Sequence, residues 1–302
     1  MKADYIWMNG KIVPFEEANI HFLSPTMHYG IGAFEGIRCY ETPEGAAVFR
    51  LREHIQRLLD SALILGVSEF PYSIDDLCQA TFETIKANGF KGCYIRPLVY
   101  LDGPLGLDLD ASVAKIGIAA WEWGTYLGDE ALESGVHMMV SSFTRHHINV
   151  SMTKAKISGN YVNSVLAKTL ALRSGYDEAI MLDTNGYVSE CSGENLFVVN
   201  DQDIETPPRA TILEGITRNS LITIAKDSGY NITENLISRD QLYIADELFV
   251  CGTAAEVTPV RAVDHRTIGL GKPGPITKTI QQVFFDTVSG TGKRSKEWLE
   301  YV

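Results

Sequence analysis

Short extended-looking runs alternate with segments of helical period along this chain. A glycine-bounded connection, Trp123-Gly124-Thr125-Tyr126-Leu127-Gly128, divides them into two stretches. That alternation points to an α+β protein of two domains. The first stretch opens with apolar runs at 5–8 and 11–13 around Asn9-Gly10, a dipeptide suited to the positive φ angles of a two-residue hairpin turn. Further extended segments are expected near 36–40, 46–49, 93–101 and 113–121. Leu51, Ile55, Leu58, Leu59, Ala62 and Leu65 predict an amphipathic helix over 50–65, ended by Gly66. Ser73 and Asp76 make a capping box for a second helix that runs to Gly89. The second stretch predicts strands at 136–142, 178–182, 195–199, 247–251 and 257–262, with helices near 161–174, 216–228 and 276–289. Two of those helices stop at Gly175 and Gly229. The expected division is a small N-terminal domain over 1–122, a linker over 123–133 and a large C-terminal domain over 134–302.

Composition excludes several classes of function. The chain has 302 residues, 45% hydrophobic and 21% charged, which is ordinary globular usage and enough for two cores. No apolar run approaches the roughly 18 residues of a membrane helix. The N-terminus lacks the basic, apolar and cleavage regions of a secretory signal, so a cytoplasmic protein is expected. Its five cysteines are odd in number and dispersed, without a Cys-x-x-Cys pair, which fits reduced thiols and neither disulfides nor a zinc knuckle. A net charge of −12 disfavours nucleic acid and anionic membranes as partners. It leaves room for one phosphate held by local groups.

Some familiar motifs fail on spacing. In Gly30-Ile31-Gly32-Ala33-Phe34-Glu35-Gly36 the third glycine falls one residue late for a dinucleotide fingerprint, and no helical pattern follows. Neighbouring His146 and His147 could not both face one metal from a strand, and no metal is expected. Three features remain. Lys154-Ala155-Lys156-Ile157-Ser158-Gly159-Asn160-Tyr161 places two lysines among small residues before a helix, where an amine can approach a planar cofactor and form a Schiff base; two solvated lysines are the bland alternative. In Glu190-Cys191-Ser192-Gly193-Glu194-Asn195-Leu196-Phe197, Glu194 precedes an apolar run, where a carboxylate wants a partner such as a pyridinium nitrogen. A strand-end carboxylate facing water explains that octapeptide as well. Leu213-Glu214-Gly215-Ile216-Thr217-Arg218 leads into a helix whose N–H groups and dipole suit a phosphate, or it is a plain helix start. Gly252-Thr253-Ala254-Ala255 is a similar small-residue turn.

Taken together these residues resemble the branched-chain aminotransferases, within the fold type IV pyridoxal-phosphate enzymes. The class pattern runs through Glu190-x-Ser192-x-x-Asn195-Leu196-Phe197, Ile204-x-Thr206 and Leu213-x-Gly215-Ile216-x-Arg218. The likeness extends to His28-Tyr29-Gly30, Phe34-Glu35-Gly36-Ile37-Arg38, Glu53-His54-x-x-Arg57-Leu58, Tyr94-Ile95-Arg96-Pro97-Leu98, the connection at 123–128, and the run from Gly252 to Val260.

The resemblance implies a small α/β domain, a larger pseudo-barrel domain, and pyridoxal 5'-phosphate as cofactor. It selects Lys156 as the Schiff-base lysine and proton carrier. Glu194 would pair with the pyridine nitrogen, Tyr161 with the ring's phenolic oxygen, and Leu213 would pack on the ring. The phosphate would be met by Arg57, Ile216, Thr217 and Thr253. The substrate carboxylate would meet Tyr94, Thr253 and Ala254. Tyr29, Phe34, Gly36, Trp123 and Tyr126 would enclose the side chain, and Arg96 would receive the second carboxylate of glutamate. Tyr29 would come from a neighbouring subunit, implying at least a homodimer, and bacterial relatives suggest a hexamer. The implied reaction is ping-pong transfer of the amino group of L-leucine, L-isoleucine or L-valine to 2-oxoglutarate. Same-fold rivals are a D-amino acid or amine transaminase and aminodeoxychorismate lyase, and a non-catalytic binding protein is the rival of another class. The presence of Lys156, Glu194 and Arg57 together counts against the last.

Overall fold

The computed structural model describes residues 3–124 and 126–302, so Thr125 of the expected linker lies outside the described residues. Two compact units emerge. The first comprises Met1–Trp123, Ala155–Asn160 and Thr287–Val302, and the second Gly124–Lys154 and Tyr161–Asp286. The contiguous division expected from the sequence therefore differs at two places, and long-range backbone pairing is the cause in both.

The first unit runs through β1 (Tyr5–Met8), β2 (Lys11–Pro14), α1 (Pro25–Tyr29), β3 (Ala33–Phe34), β4 (Ile37–Thr42) and β5 (Gly45–Phe49). It continues with α2 (Leu51–Leu65), α3 (Ile74–Asn88), β6 (Cys93–Asp102) and β7 (Val113–Trp121). Asn9 and Gly10 take φ of 47° and 96°, the two positive angles that the hairpin turn requires. Ser73 and Asp76 form the capping box of α3. Leu51, Ile55, Leu58 and Ala62 line one face of α2 and are buried with Leu77, Ile85, Ile95, Val99, Ile116 and Ile118. Each large aliphatic in such a core contributes roughly 1.5–3 kcal/mol.

The second unit contains α4 (Asp129–Ser134), β8 (Val136–Val140), α5 (Tyr161–Arg173), β9 (Glu178–Leu182), β10 (Val188–Cys191), β11 (Asn195–Asn200) and β12 (Asp203–Thr206). There follow α6 (Ile216–Asp227), β13 (Asn231–Glu234), α7 (Arg239–Tyr243), β14 (Glu247–Gly252), β15 (Glu256–Val263), β16 (Arg266–Thr267) and α8 (Pro275–Val288). The path β10-β9-β8-β15-β14-β11-β12-β13 forms one mixed sheet, with β16 beside β15. Its core gathers Met138, Val140, Ile180, Leu196, Val198, Leu248, Val250 and Val260. On the opposite side of β9, Ala179 and Met181 pack against Ala167 and Ala171. The α+β class is as expected, with an antiparallel sheet in one unit and a mixed sheet in the other.

The chain ends with α9 (Ser295–Trp298) and β17 (Leu299–Tyr301), and β17 pairs antiparallel with β5. This edge strand returns the C-terminus to the first unit, whose sheet order is β17-β5-β4-β6-β7-β1-β2 with β3 on β6.

Candidate active site

The first unit fixes Lys156 by its backbone. The Lys156 N–H donates to Ser61 Oγ at 2.9 Å, and its carbonyl accepts from the Phe34 N–H at 3.0 Å. Ile157 bridges Ala33, the Ser158 N–H donates to the Gly32 carbonyl at 2.8 Å, and the Gly159 N–H donates to the Gly30 carbonyl at 2.9 Å. The two strands of this clasp approach so closely that a Cβ on Gly30, where φ is +68°, would lie 2.9 Å from Gly159 Cα. The clasp leaves the Lys156 amine 5.1 Å from the centre of the Phe34 ring. The other lysine of the motif is engaged elsewhere: Lys154 Nζ meets Glu214 at 3.0 Å and donates to the carbonyls of Arg209 and Ile212.

Helix α2 carries a second, polar stripe. His54, Arg57 and Ser61 follow at helical spacing, and Ser61 Oγ donates back to the Arg57 carbonyl at 2.7 Å. Arg57 grips the fully buried Glu35 with both Nε (2.6 Å) and Nη2 (2.8 Å), while His54 Nδ1 lies 2.8 Å from the same carboxylate. Burial alone would raise the Glu35 carboxyl, but Arg57's charge and the His54 hydrogen bond hold it well below the usual carboxylate range. Burial pushes His54 down, towards the neutral imidazole. An arginine so held presents a fixed guanidinium for an anion.

Five of the predicted substrate residues gather in the same unit. Tyr94 and Arg96 alternate onto one face of β6, and Arg96 Nη2 donates to the Tyr94 hydroxyl at 3.1 Å. The Arg96 guanidinium lies over Phe34, 4.8 Å from the ring centre, and its buried Nε has no hydrogen-bond partner among the described residues. Trp123 meets Tyr94 edge-on at 4.5 Å. A Cβ on Gly36 would fall 2.0 Å from the Tyr94 hydroxyl, so only glycine fits there. Tyr29 ends α1 and is 42% exposed, outside this cluster in the single chain.

In the second unit the class pattern closes on itself. Glu190 is buried and ion-pairs with Arg145 at 2.7 Å. Both of its oxygens accept from the Leu213 N–H at 3.2 Å, and Asn195 Nδ2 donates both to Glu190 and to the Leu213 carbonyl, each at 3.2 Å. Two residues on, Gly215 sits so close that its Cβ would lie 2.0 Å from Asn195 Oδ1. No side chain caps α6 at Gly215, where Ile216 and the buried Thr217 begin the helix. Buried Arg218 donates to Thr206 Oγ1 and to the Pro207 carbonyl, tying α6 to β12. Thr253 and Ala254 occupy the tight turn where Gly252 pairs with Glu256, and Tyr161 opens α5.

Glu194 faces elsewhere. It is buried, accepts from the Gly193 N–H at 3.1 Å and lies in hydrogen-bonding reach of Glu178; no hydrogen bond joins it to Leu213 among the described residues. Burial first, and the Glu178 charge second, push its carboxyl up to about 8. Glu190, not Glu194, is the acid that the fold brings to the 213–217 segment.

The sequence matches the amino-transferase class IV family over residues 32–263, most of the chain. The chain belongs to that family. This class IV aminotransferase is 50% identical over 295 residues to the branched-chain-amino-acid aminotransferase of Pseudomonas aeruginosa, covering 97% of this chain and 95% of that one. The crystal structure of the Escherichia coli branched-chain amino acid aminotransferase superposes with a TM-score of 0.97 at 48% identity, covering 99% of each chain. That of Thermobaculum terrenum in its PLP form gives a TM-score of 0.93 at 32% identity, covering 99% and 98%.

The residues around the candidate site to which sequence reasoning gave no role are Glu35, His54, Ser61, Arg145, Glu190 and Asn195. The spacing of His54, Arg57 and Ser61 along one helix face was a readable signal for two of them. Among the described residues no group of three or more acidic, histidine or cysteine side chains could hold a metal. Among the described residues no helix is long and apolar enough to cross a membrane.

Proposed function

We propose that this aminotransferase transfers the amino group of L-leucine, L-isoleucine or L-valine to 2-oxoglutarate, with pyridoxal 5'-phosphate as its cofactor. The observation that carries the reading is Lys156, clasped on both backbone sides with its amine directed over Phe34, in a unit that also fixes Arg57. The donor set suits the cofactor. Arg57, the Ile216 and Thr217 start of α6 and Thr253 would hold its phosphate, Tyr161 its phenolic oxygen and Leu213 its ring face. Bound there, pyridoxal phosphate supplies an electron sink for the charge that develops at the substrate Cα.

We assign the carboxylate opposite the pyridine nitrogen to Glu190 in place of Glu194. Glu190 shares its hydrogen bonds with the loop that carries Leu213 and stays paired with Arg145. Glu194, with its carboxyl pushed up to about 8, is largely protonated at neutral pH and offers no charge to a pyridinium.

The chain's own groups then divide the labour. Lys156 Nζ takes the proton from the substrate Cα and carries it onward, helped by a backbone that cannot drift. Tyr94, with Thr253 and Ala254, receives the substrate carboxylate. Phe34, Trp123 and Tyr126 wall an aliphatic side chain, and Gly36 leaves the room that Tyr94 fills. Arg96, with its buried unpartnered Nε, accepts the second carboxylate of glutamate, which lets one site take an oily and an acidic substrate in turn.

A homodimer at least, as the working assembly, is supported by exposed apolar side chains. Phe22, Met27 and Tyr29 are 75%, 64% and 42% exposed around α1, and Val162 and Val165 of α5 are 62% and 60% exposed. Five free buried cysteines fit a reducing, cytoplasmic setting.

The visible spectrum of the protein with pyridoxal phosphate tests the reading. L-leucine should convert the yellow bound form to the pyridoxamine form, and D-alanine should not. Conversion by D-alanine or an amine alone would move the assignment to a same-fold rival, and no bound form at all would end it.

A further inference from the structure

The neighbouring histidines at 146 and 147 meet different surroundings. His147 is exposed, and its Nδ1 accepts from the Asn149 N–H at 3.1 Å within its own loop. His146 is half-buried, and its Nδ1 lies 3.3 Å from Arg145 Nη1. A guanidinium carries only donors, so Nδ1 must be the accepting nitrogen of a neutral ring. The ring proton then sits on Nε2, which is buried and has no hydrogen-bond partner among the described residues. A buried N–H left in that state is a cost, and the ring bears it while presenting Nδ1 to Arg145. Burial first, and the Arg145 charge second, push the imidazole down to about 4, so it stays neutral and accepting at neutral pH.

The backbone around Arg145 is fixed from two sides, and every group involved belongs to the second unit. Asn163, in the first turn of α5, donates from Nδ2 to the Thr144 carbonyl at 2.9 Å and accepts the His146 N–H at 3.2 Å. The Arg145 N–H donates to the Leu182 carbonyl, at the end of β9, at 2.7 Å. From this support the Arg145 side chain reaches Glu190 through Nε at 2.7 Å. Arg57 grips Glu35 with both Nε and Nη2, whereas Arg145 meets Glu190 through Nε and turns Nη1 to His146. A guanidinium bonded to a carboxylate at one nitrogen can pivot about that bond, and a contact at Nη1 stops the pivot. Pivoting would shift the charge facing Glu190, and with it the carboxylate that the Leu213 N–H and Asn195 Nδ2 share.

We propose that His146 is a positioning residue, holding the Arg145 guanidinium in the orientation that keeps Glu190 set for the pyridine nitrogen of the cofactor. This rests on the assignment of Glu190 as the partner of that nitrogen. His146 acts through Arg145, not by contact with substrate or cofactor.

The test compares two cofactors on the full chain: pyridoxal phosphate and its deaza analogue, in which a C–H replaces the pyridine nitrogen. Equilibrium dialysis reads the affinity of each. His146→Leu should weaken pyridoxal phosphate binding roughly three- to tenfold and leave the analogue within about twofold of wild type. His146→Asn, whose Oδ1 falls near the position of the imidazole Nδ1, should stay within about twofold for both. With L-leucine, His146→Leu should lower kcat and leave KM near its starting value. Equal weakening for both cofactors marks a merely structural role and overturns the proposal, as does unchanged binding of pyridoxal phosphate. Nitrogen NMR of the histidine rings gives a reading in the unaltered protein: at neutral pH His146 should be neutral with its proton on Nε2. An imidazolium, or a proton on Nδ1, overturns the proposal even where His146→Leu does not fold. Glu190→Gln tells the two assignments apart. It should weaken pyridoxal phosphate and spare the analogue; if it treats both cofactors alike, the Glu190 assignment fails and the proposal with it. If Glu190→Gln discriminates between them and His146→Leu does not, the proposal alone fails.

Discussion

Adding one methyl group at Gly215 should loosen the cofactor far more than it loosens the fold. Alanine there would put its Cβ 2.0 Å from Asn195 Oδ1 and 3.2 Å from Arg218 Cβ. A carbon and an oxygen need about 3.3 Å, so the Asn195 amide must move by more than 1 Å. That movement breaks its two 3.2 Å bonds, one to the Glu190 carboxylate and one to the Leu213 carbonyl. A bond to a charged group contributes roughly 1.5–3 kcal/mol and a neutral one roughly 0.5–1.5, for a combined loss of about 2–4 kcal/mol. The cofactor-free protein can relax the 213–217 segment and avoid part of that loss. The cofactor requires the segment ordered, so the loss appears in binding. Pyridoxal phosphate affinity should then fall about 30- to 1,000-fold, measured by equilibrium dialysis, with the melting temperature of the cofactor-free protein changed little. Asn195→Ala in the Gly215→Ala background should recover part of the affinity, because the obstructing amide is gone. Wild-type affinity in Gly215→Ala, or a melting temperature lowered equally with and without cofactor, would refute the reasoning.

Other substitutions probe the remaining parts. Lys156→Ala should abolish transamination of L-leucine in a spectrophotometric assay, and near-normal turnover would remove it from its role. Ser61→Ala should cost about 1 kcal/mol in urea denaturation and lower kcat more than it raises KM, since it frees the Lys156 backbone. Glu190→Gln should lower kcat more than Glu194→Gln does; the reverse order would return the pyridine partner to Glu194. Because burial raises the folded Glu194 carboxyl to about 8, the folded state holds a proton that the unfolded state has lost between about pH 4.5 and 8. Its contribution to stability therefore falls as pH rises through that window, and Glu194→Gln should gain stability relative to wild type from pH 5 to 8 in chemical denaturation. A constant difference across that range would contradict the burial argument.

Much of the architecture was legible in local pattern. The Asn9-Gly10 hairpin, the capping box at Ser73 and the stripe of Leu51, Ile55, Leu58 and Ala62 depend on residues a few positions apart, where period and turn chemistry act directly. The resemblance likewise proposed roles for Lys156, Arg57 and the start of α6 from residue order alone. Short elements without a strong period, such as α1, α7, β12 and β13, were not anticipated, because a few residues carry too little periodicity to register.

What tertiary structure decided was which of two nearby acids bonds the 213–217 segment, and where the chain's last strand goes. Glu190 and Glu194 stand four residues apart, and the family resemblance, read residue by residue, had given the pyridine nitrogen to Glu194. The pairing of β10 with β9 shifts register between Val188 and Glu190, an irregularity that re-aims a side chain in a way simple alternation does not foretell. Its result is a Glu190 turned to Arg145, Asn195 and Leu213, and a Glu194 turned to Glu178. In the same way β17 joins β5, and the Lys156 segment joins the 30–34 run, through backbone bonds between residues over a hundred positions apart. Local sequence sets the period of each element. Which elements meet is set by the burial and hydrogen bonding of the whole chain, and only the folded structure records that outcome.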